Sequence, residues 1–304
     1  MMQSLSGITG RVRTWGEMIK FSHSVFALPF ALIATFLAGR ALPGGLPYAG
    51  QLVLIVLCMV FARSVAMTFN RLADATLDAA NPRTAGRALP TGLITTRTSW
   101  FFLCVCAGAF VLACAGFWWF YGNPWPLWLS GPLLAVLCGY SYTKRFTPWS
   151  HVALGVADGL SPVAAWVAID PGSLGWPALI LGAVVALWIG GFDIIYACQD
   201  VAFDRRVGLF SLPAAWGVGP ALWVTRAGHA LTVVLLLALA PIAGLGWLYI
   251  GGVFAVAVLL LVENLLVGPN DLSRVNVAFF TINGLVSVLL GLMAVGDVCL
   301  QVMD

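Results

Sequence analysis

Acidic side chains are scarce in this 304-residue chain, 12 Asp and Glu against 15 Lys and Arg. Charged residues make up 9% and apolar residues 61%, which leaves too little polar surface to clothe a soluble domain of this length. The seven cysteines, Cys58, Cys104, Cys106, Cys114, Cys138, Cys198 and Cys299, fall mostly inside apolar runs and lack metal-ligand spacing. No disulfide framework or zinc centre is expected of them. His23, His151 and His229 are scattered and read as satisfied interfacial residues near helix ends. Residues 1–20 are mixed polar and amphipathic, so no cleavable signal peptide is expected, and this segment reads as lying along the inner interface. A formal charge of +3 gives no reason to invoke nucleic acid.

What remains is long apolar runs. A bilayer core of about 30 Å takes roughly 20 apolar residues per helix. Turn-rich or charged breaks cut the runs into nine spans, near 22–39, 50–70, 99–120, 126–142, 152–169, 177–197, 220–241, 246–267 and 277–299. The expected fold class is an all-α integral membrane protein, one domain over residues 1–304. Most basic residues fall on one side under this cut: Arg11, Arg13 and Lys20, then Arg71, Arg83, Arg87 and Arg97, then Lys144 and Arg145, then Arg205, Arg206 and Arg226, and Arg274. Arg40 alone falls opposite, and Arg63 lies inside the second span. The positive-inside rule then places the amino terminus in the cytosol and the carboxyl terminus across the membrane.

The few acids are concentrated. Asn70, Asp74 and Asp78 follow each other at four-residue spacing after the second span, and Asp200 and Asp204 repeat the spacing after the sixth. Each stretch continues through arginines to a Leu-Pro, at Leu89-Pro90 and Leu212-Pro213. Four spans separate them, which suggests two parallel pseudo-repeats of four helices plus a last helix. Residues i and i+4 share a helix face, so each pair presents two carboxylates to one point, the donor type Mg²⁺ prefers and shares with substrate phosphates. Two such clusters facing one cavity would hold metal on both sides of a diphosphate. Arg63, seven residues before Asn70, is a cation inside a membrane span and needs an anion. Tyr140 and Lys144 form another four-spaced pair, offering a hydroxyl and an ammonium to phosphate oxygens. Lys20, Arg71, Arg83 and Arg87 are further candidates for the same anion.

At these residues the chain resembles the UbiA family of membrane prenyltransferases. The family's N-x-x-x-D-x-x-x-D is matched by Asn70, Asp74 and Asp78, its D-x-x-x-D by Asp200 and Asp204, its Y-x-x-x-K by Tyr140 and Lys144, and its preceding arginine by Arg63. The segments IKFSHSVFALPFAL, from Ile19 to Leu32, and NPRTAGRALP are similar to the 4-hydroxybenzoate polyprenyltransferase branch. The resemblance implies nine transmembrane helices around a central cavity that opens sideways to membrane lipid. It implies Mg²⁺-dependent transfer of a prenyl group from a polyprenyl diphosphate to a small aromatic acceptor, 4-hydroxybenzoate in this branch, on the way to ubiquinone in a bacterial inner membrane. Asp193, one turn-pair before Asp200, is then the candidate for orienting the acceptor's hydroxyl or receiving the ring proton.

Asp158 departs from the family pattern: it is a carboxylate inside the fifth span, where an acid is functional by default, and concerns either acceptor choice or packing beside Gly159 and Pro162. A different acceptor, such as a naphthoate on a menaquinone route, is the alternative within the same chemistry. A secondary transporter, with parallel repeats and buried Arg63, Asp158 and Glu263, is the alternative in another class. It leaves the pairing of acids at one membrane face unexplained.

Overall fold

The structure, a computed structural model, describes residues 14–19 and 24–303, so Lys20 and His23 lie outside the described residues. Among the described residues nine helices have 15 residues or more: α1 Ser24–Gly39, α2 Ala49–Ala73, α4 Thr96–Tyr121, α5 Trp125–Gly139, α6 Ser150–Ile169, α7 Trp176–Ala197, α10 Val218–Ile242, α11 Trp247–Leu266 and α12 Asn283–Met303. Three short helices connect them, α3 Ala75–Ala80, α8 Val201–Val207 and α9 Leu212–Trp216. An isolated bridge between Gly268 and Asp271 is the one β-pairing among the described residues.

Seven helices among the described residues are long and apolar enough to cross a membrane. The expected spans 22–39 and 126–142 fall on α1 and α5, which have 16 and 15 residues. At 1.5 Å per residue these reach only about 22–24 Å, short of the ~30 Å hydrocarbon core. α5 gains length from the 3-10 turn Tyr140–Arg145 that continues it. Apolar side chains face outward as well as inward. Phe101, Phe120, Trp247 and Leu265 are all more than 70% exposed, while Phe30, Trp188 and Tyr249 are buried. A bundle that is apolar on both sides has lipid as its solvent.

Small residues bring the helices together. Ala31, Ala34 and Ala38 of α1 are fully buried, which makes this short helix an inner stave. Along the contact of α6 with α7, a Cβ on Gly155 would overlap the Ala186 carbonyl, and one on Gly159 would stand 2.5 Å from the Gly182 carbonyl oxygen. Backbones approach this closely only where side chains are absent. At one end of the bundle Arg40 donates to the Ala243 carbonyl at 2.5 Å and to Gln301 Oε1 at 2.6 Å, gathering the ends of α1, α10 and α12. The ends of α2, α5 and α7 meet at the other face, where the acids are. His229 is not interfacial as expected from its place in the sequence. It is buried between α10 and α11, 2.9 Å from Asn264 and 3.7 Å from Glu263.

Candidate active site

The first acidic stretch is a broken helix rather than the continuous one its spacing suggested. α2 ends at Ala73, Asp74 takes φ −100° and ψ 7°, and α3 begins at Ala75. The four-residue backbone bonding survives the kink, with Asp74 N–H donating to the Asn70 carbonyl at 2.9 Å and Asp78 N–H to the Asp74 carbonyl at 2.8 Å. Asn70, Asp74 and Asp78 therefore still lie one turn apart. The second stretch breaks in the same way: α7 gives way to a 3-10 turn at Cys198–Asp200, Asp200 takes φ −104° and ψ 3°, and α8 carries Asp204. Matching kinks at matching places extend the internal echo from sequence to structure.

Asn70, Asp74, Asp78, Asp200 and Asp204 all line one cavity of about 280 Å³. Arg63, Arg71, Arg83, Arg87, Tyr140, Lys144 and Asp193 line it too, so every described residue expected to hold metal, phosphate or the ring proton is brought to this place. Tyr140 and Lys144 sit on the 3-10 turn after α5 rather than on an α-helical face, because α5 tightens over its last residues. Phe26, Phe192 and Phe279 line it as well, packed edge to face with ring centres 5.1–6.0 Å apart.

Each carboxylate of the first stretch is held by a cation. Lys144 Nζ donates to Asp74 Oδ2 at 2.5 Å, and Arg145 approaches Asp74 Oδ1 at 3.2 Å. Arg87 donates to Asp78 Oδ1 at 2.6 Å, with Arg71 3.7 Å from Asp78 Oδ2. Asp200 takes two bonds from the Arg83 guanidinium, at 2.9 and 2.5 Å, and a third from Asn81 Nδ2 at 3.0 Å. The same guanidinium donates to the Tyr196 hydroxyl at 2.7 Å. Partial burial works against the Arg83 charge, but Asp200 and Tyr196 outweigh it and hold the pKa above the ordinary arginine value. Asn81 is a turn residue following α3, its Oδ1 accepting from Arg83 N–H at 3.0 Å; this local turn aims Arg83 across the cavity. The loop after the first stretch is thus tied to the second.

Asp204 has a hydroxyl partner instead. Gly208, with φ +74°, reverses the chain after α8, so Ser211 returns to donate to Asp204 Oδ2 at 2.8 Å while capping α9 through Ala214 N–H. The next residue supplies an unforeseen contact. Leu212 N–H points at His151 Nε2 at 3.4 Å, and His151 Nδ1 lies 2.7 Å from Asp193 Oδ2. A backbone donor at Nε2 makes that nitrogen the acceptor, which leaves the Nδ1 proton for Asp193. His151 is 4% exposed, a cavity residue and not the interfacial histidine its position at the start of α6 suggested.

Among the described residues no three His, Cys, Asp or Glu side chains stand close enough together to share a metal; the acids face basic groups instead. The donor set nevertheless suits a hard cation. It consists of carboxylate and amide oxygens on two walls of one cavity, and Asp78 Oδ2 is buried without a hydrogen-bond partner. A divalent ion would enter by displacing Lys144, Arg83 or Arg87 from a carboxylate.

Arg63, Tyr140 and Asp158 also line a second chamber of about 130 Å³. Its walls are apolar: Ile55 and Met59 of α2, Phe110 and Phe117 of α4, Leu133 and Leu137 of α5 among them. A charged chamber therefore adjoins a greasy one, with Arg63 3.9 Å from Asp158 at their shared border, the neck between them.

Comparison with known proteins agrees with this geometry. Residues 27–285 match the UbiA prenyltransferase family. A 4-hydroxybenzoate octaprenyltransferase of Yersinia pseudotuberculosis is 33% identical over 236 residues, 75% of this chain and 74% of that protein. The protein of the same name from Hydrogenovibrio crunogenus is 29% identical over 216 residues, 70% of this chain and 72% of that protein. The apo structure of a UbiA homolog from Aeropyrum pernix superposes with a TM-score of 0.79 at 28% identity, covering 93% of this chain and 98% of that one. A UbiA homolog from Archaeoglobus fulgidus, bound to GPP and Mg²⁺, shares the fold with a TM-score of 0.68 at 17% identity over 94% and 99% of the two chains. Paired acids over a charged chamber, an apolar chamber behind it and a family match across most of its length lead to one conclusion: the chain belongs to the UbiA prenyltransferase family and is an integral membrane enzyme.

Proposed function

We propose that this single-domain enzyme transfers a polyprenyl group from a polyprenyl diphosphate to an aromatic acceptor, 4-hydroxybenzoate, forming a carbon–carbon bond ortho to the hydroxyl on a route to a respiratory quinone. The observation that carries this reading is that both acidic stretches line the charged chamber while an apolar chamber adjoins it across Arg63, Tyr140 and Asp158. A substrate with an anionic head and a hydrocarbon tail fits that pair of rooms and few others do. The choice of acceptor is supported by the chain's similarity to 4-hydroxybenzoate octaprenyltransferases.

Asn70, Asp74, Asp78, Asp200 and Asp204 would hold Mg²⁺, which when bound supplies Lewis acidity and charge compensation at the leaving diphosphate. Lys144, Arg71, Arg87, Arg63 and Tyr140 bind phosphate oxygens, and Lys20 is assigned to the same anion from its sequence position alone. These donors are worth more as charge grows on the oxygen that departs from the allylic carbon C1. The apolar chamber keeps water from the allylic cation, which would otherwise yield a prenyl alcohol. The C1–oxygen bond breaks with its electron pair leaving on diphosphate, the ring carbon then bonds to C1 of the allylic cation, and the ring proton passes to Asp193. His151 holds that carboxylate in place. The basic loops put the charged chamber and the amino terminus on the cytosolic side and the carboxyl terminus across the membrane.

The test is Asp74→Asn and Asp200→Asn made singly in the purified protein, with Mg²⁺-dependent release of diphosphate from geranyl diphosphate and 4-hydroxybenzoate as readout. Each substitution is expected to abolish release. Wild-type protein that releases no diphosphate with any aromatic acid would rule the reading out.

A further inference from the structure

Three side chains border both chambers: Arg63, Tyr140 and Asp158. The diphosphate belongs to the charged room and the isoprenoid to the apolar one, so C1, and the ring that attacks it, must meet at this neck. What the neck presents to the ring is therefore what selects the acceptor.

The neck and the apolar wall beside it contain polar atoms that the protein itself does not use. Arg63 Nε and Ser161 Oγ are both buried without a hydrogen-bond partner. The Arg63–Asp158 separation of 3.9 Å is beyond hydrogen-bond length, so the pair neutralises charge without satisfying the donors. Ser161 lies three residues after Asp158, on the same face of α6, and lines the apolar chamber beside Ala157, Ala164 and Ala165. These alanines leave width for a flat ring. α6 is held against α7 by the backbone approach at Gly155 and Gly159, so the Asp158 to Ser161 segment is fixed rather than adaptable. Buried polar groups left open in a rigid apolar wall await a ligand that carries the complementary groups.

We infer that Asp158 and Ser161 form the subsite for the acceptor's hydroxyl. The Asp158 carboxylate accepts a hydrogen bond from the phenolic O–H, Ser161 Oγ donates to the same oxygen, and the ring lies against the alanine wall with its ortho carbon turned towards C1. An O–H bonded to a carboxylate releases more electron density into the ring, which makes the ortho carbon a better nucleophile. Asp193, which lines only the charged chamber and is engaged by His151, keeps the separate task of taking the ring proton. This inference rests on the prenyl-transfer reading and adds to it the residues that select the substrate.

The experiment compares wild type, Asp158→Asn and Ser161→Ala in detergent, with geranyl diphosphate and either 4-hydroxybenzoate or 4-methoxybenzoate. The methoxy compound has an equally activated ring but no proton to donate. Wild type is expected to prefer the hydroxy acid strongly. In Asp158→Asn the KM for 4-hydroxybenzoate should rise about tenfold to a hundredfold, the range for losing a charge-assisted hydrogen bond, and the preference over the methoxy acid should collapse. The KM for geranyl diphosphate should move less than that of the acceptor, because losing the Asp158 charge also frees Arg63 for phosphate oxygens, whereas Ser161→Ala should leave it where it was. Ser161→Ala leaves the ion pair intact and should raise the acceptor KM by a smaller factor. Unchanged discrimination between the two acids, or a KM shift confined to geranyl diphosphate, overturns the subsite while leaving prenyl transfer standing. If Asp158→Asn does not fold, an unchanged acceptor KM in Ser161→Ala overturns it alone. Wild type that prenylates neither acid overturns both the subsite and the functional reading beneath it.

Discussion

Lys144→Met separates metal binding from diphosphate binding in a direction that intuition does not suggest. Lys144 is a ligand for the diphosphate in this account, yet in the ligand-free chain its ammonium sits 2.5 Å from Asp74 Oδ2. At that distance and an effective dielectric of about 20, the gross attraction is roughly 6–7 kcal/mol. Lys144 is 32% exposed and Asp74 only 3%, so screening at one partner and desolvation at the other remove most of it, leaving on the order of 1–3 kcal/mol. A divalent ion that binds Asp74 must first overcome that amount. Replacing Lys144 with methionine, of similar length and without charge, should therefore tighten Mg²⁺ binding to the diphosphate-free protein by about 5- to 150-fold, while weakening pyrophosphate binding. Isothermal titration of Mg²⁺ into wild type and variant, each with and without pyrophosphate, measures both. In wild type the two ligands should help one another. The reasoning fails if Lys144→Met binds Mg²⁺ alone no better than wild type, or if pyrophosphate leaves the Mg²⁺ affinity of wild type unchanged.

Further expectations follow from the same contacts. Arg83→Ala releases Asp200 from two charge-assisted bonds and should lower pyrophosphate affinity about tenfold in equilibrium binding, and Arg83→Lys should not restore it because the fork geometry is lost. His151→Ala should lower kcat by about 10- to 100-fold with little change in the KM for geranyl diphosphate, since it acts through Asp193; single-turnover rates check this, and normal turnover by Asp193→Asn removes the proton-acceptor assignment. Gly159→Leu puts a side chain into the Gly182 carbonyl and should destabilise the bundle by about 1–3 kcal/mol or more, read as loss of monodisperse protein in detergent.

The fold was legible because lipid imposes length and hydropathy on every span. The expected 177–197 and 152–169 differ from Trp176–Ala197 and Ser150–Ile169 by at most two residues at either end. The exceptions are local. At Ala73–Ala75 and Cys198–Asp200 the helices break although hydrogen bonds of four-residue spacing continue through the first, and hydropathy is blind to a kink that keeps its register. The candidate residues were legible for a related reason: in so apolar a chain, acids at repeated spacing have few purposes. Asn81, Arg83, Ser211 and His151 were harder to assign. Arg83 and Asp200 lie 117 residues apart in sequence, and His151 meets Asp193 only because Gly155 and Gly159 let α6 lie against α7. Such partners depend on helix packing that no local pattern carries. A visible signal near the site was Asp158, an acid inside a span where the membrane tolerates few.

The account turns on a single diphosphate held between two acidic walls. An experimental structure with Mg²⁺ and a non-reactive thiolo analogue of geranyl diphosphate tests this most directly. The account predicts the diphosphate bridging Asp74 and Asp78 on one side and Asp200 and Asp204 on the other, with Lys144 and Arg87 moved onto its oxygens and the chain passing Arg63 and Tyr140 into the apolar chamber. A diphosphate bound to one acidic stretch alone, or a tail running anywhere but through that neck, would contradict it.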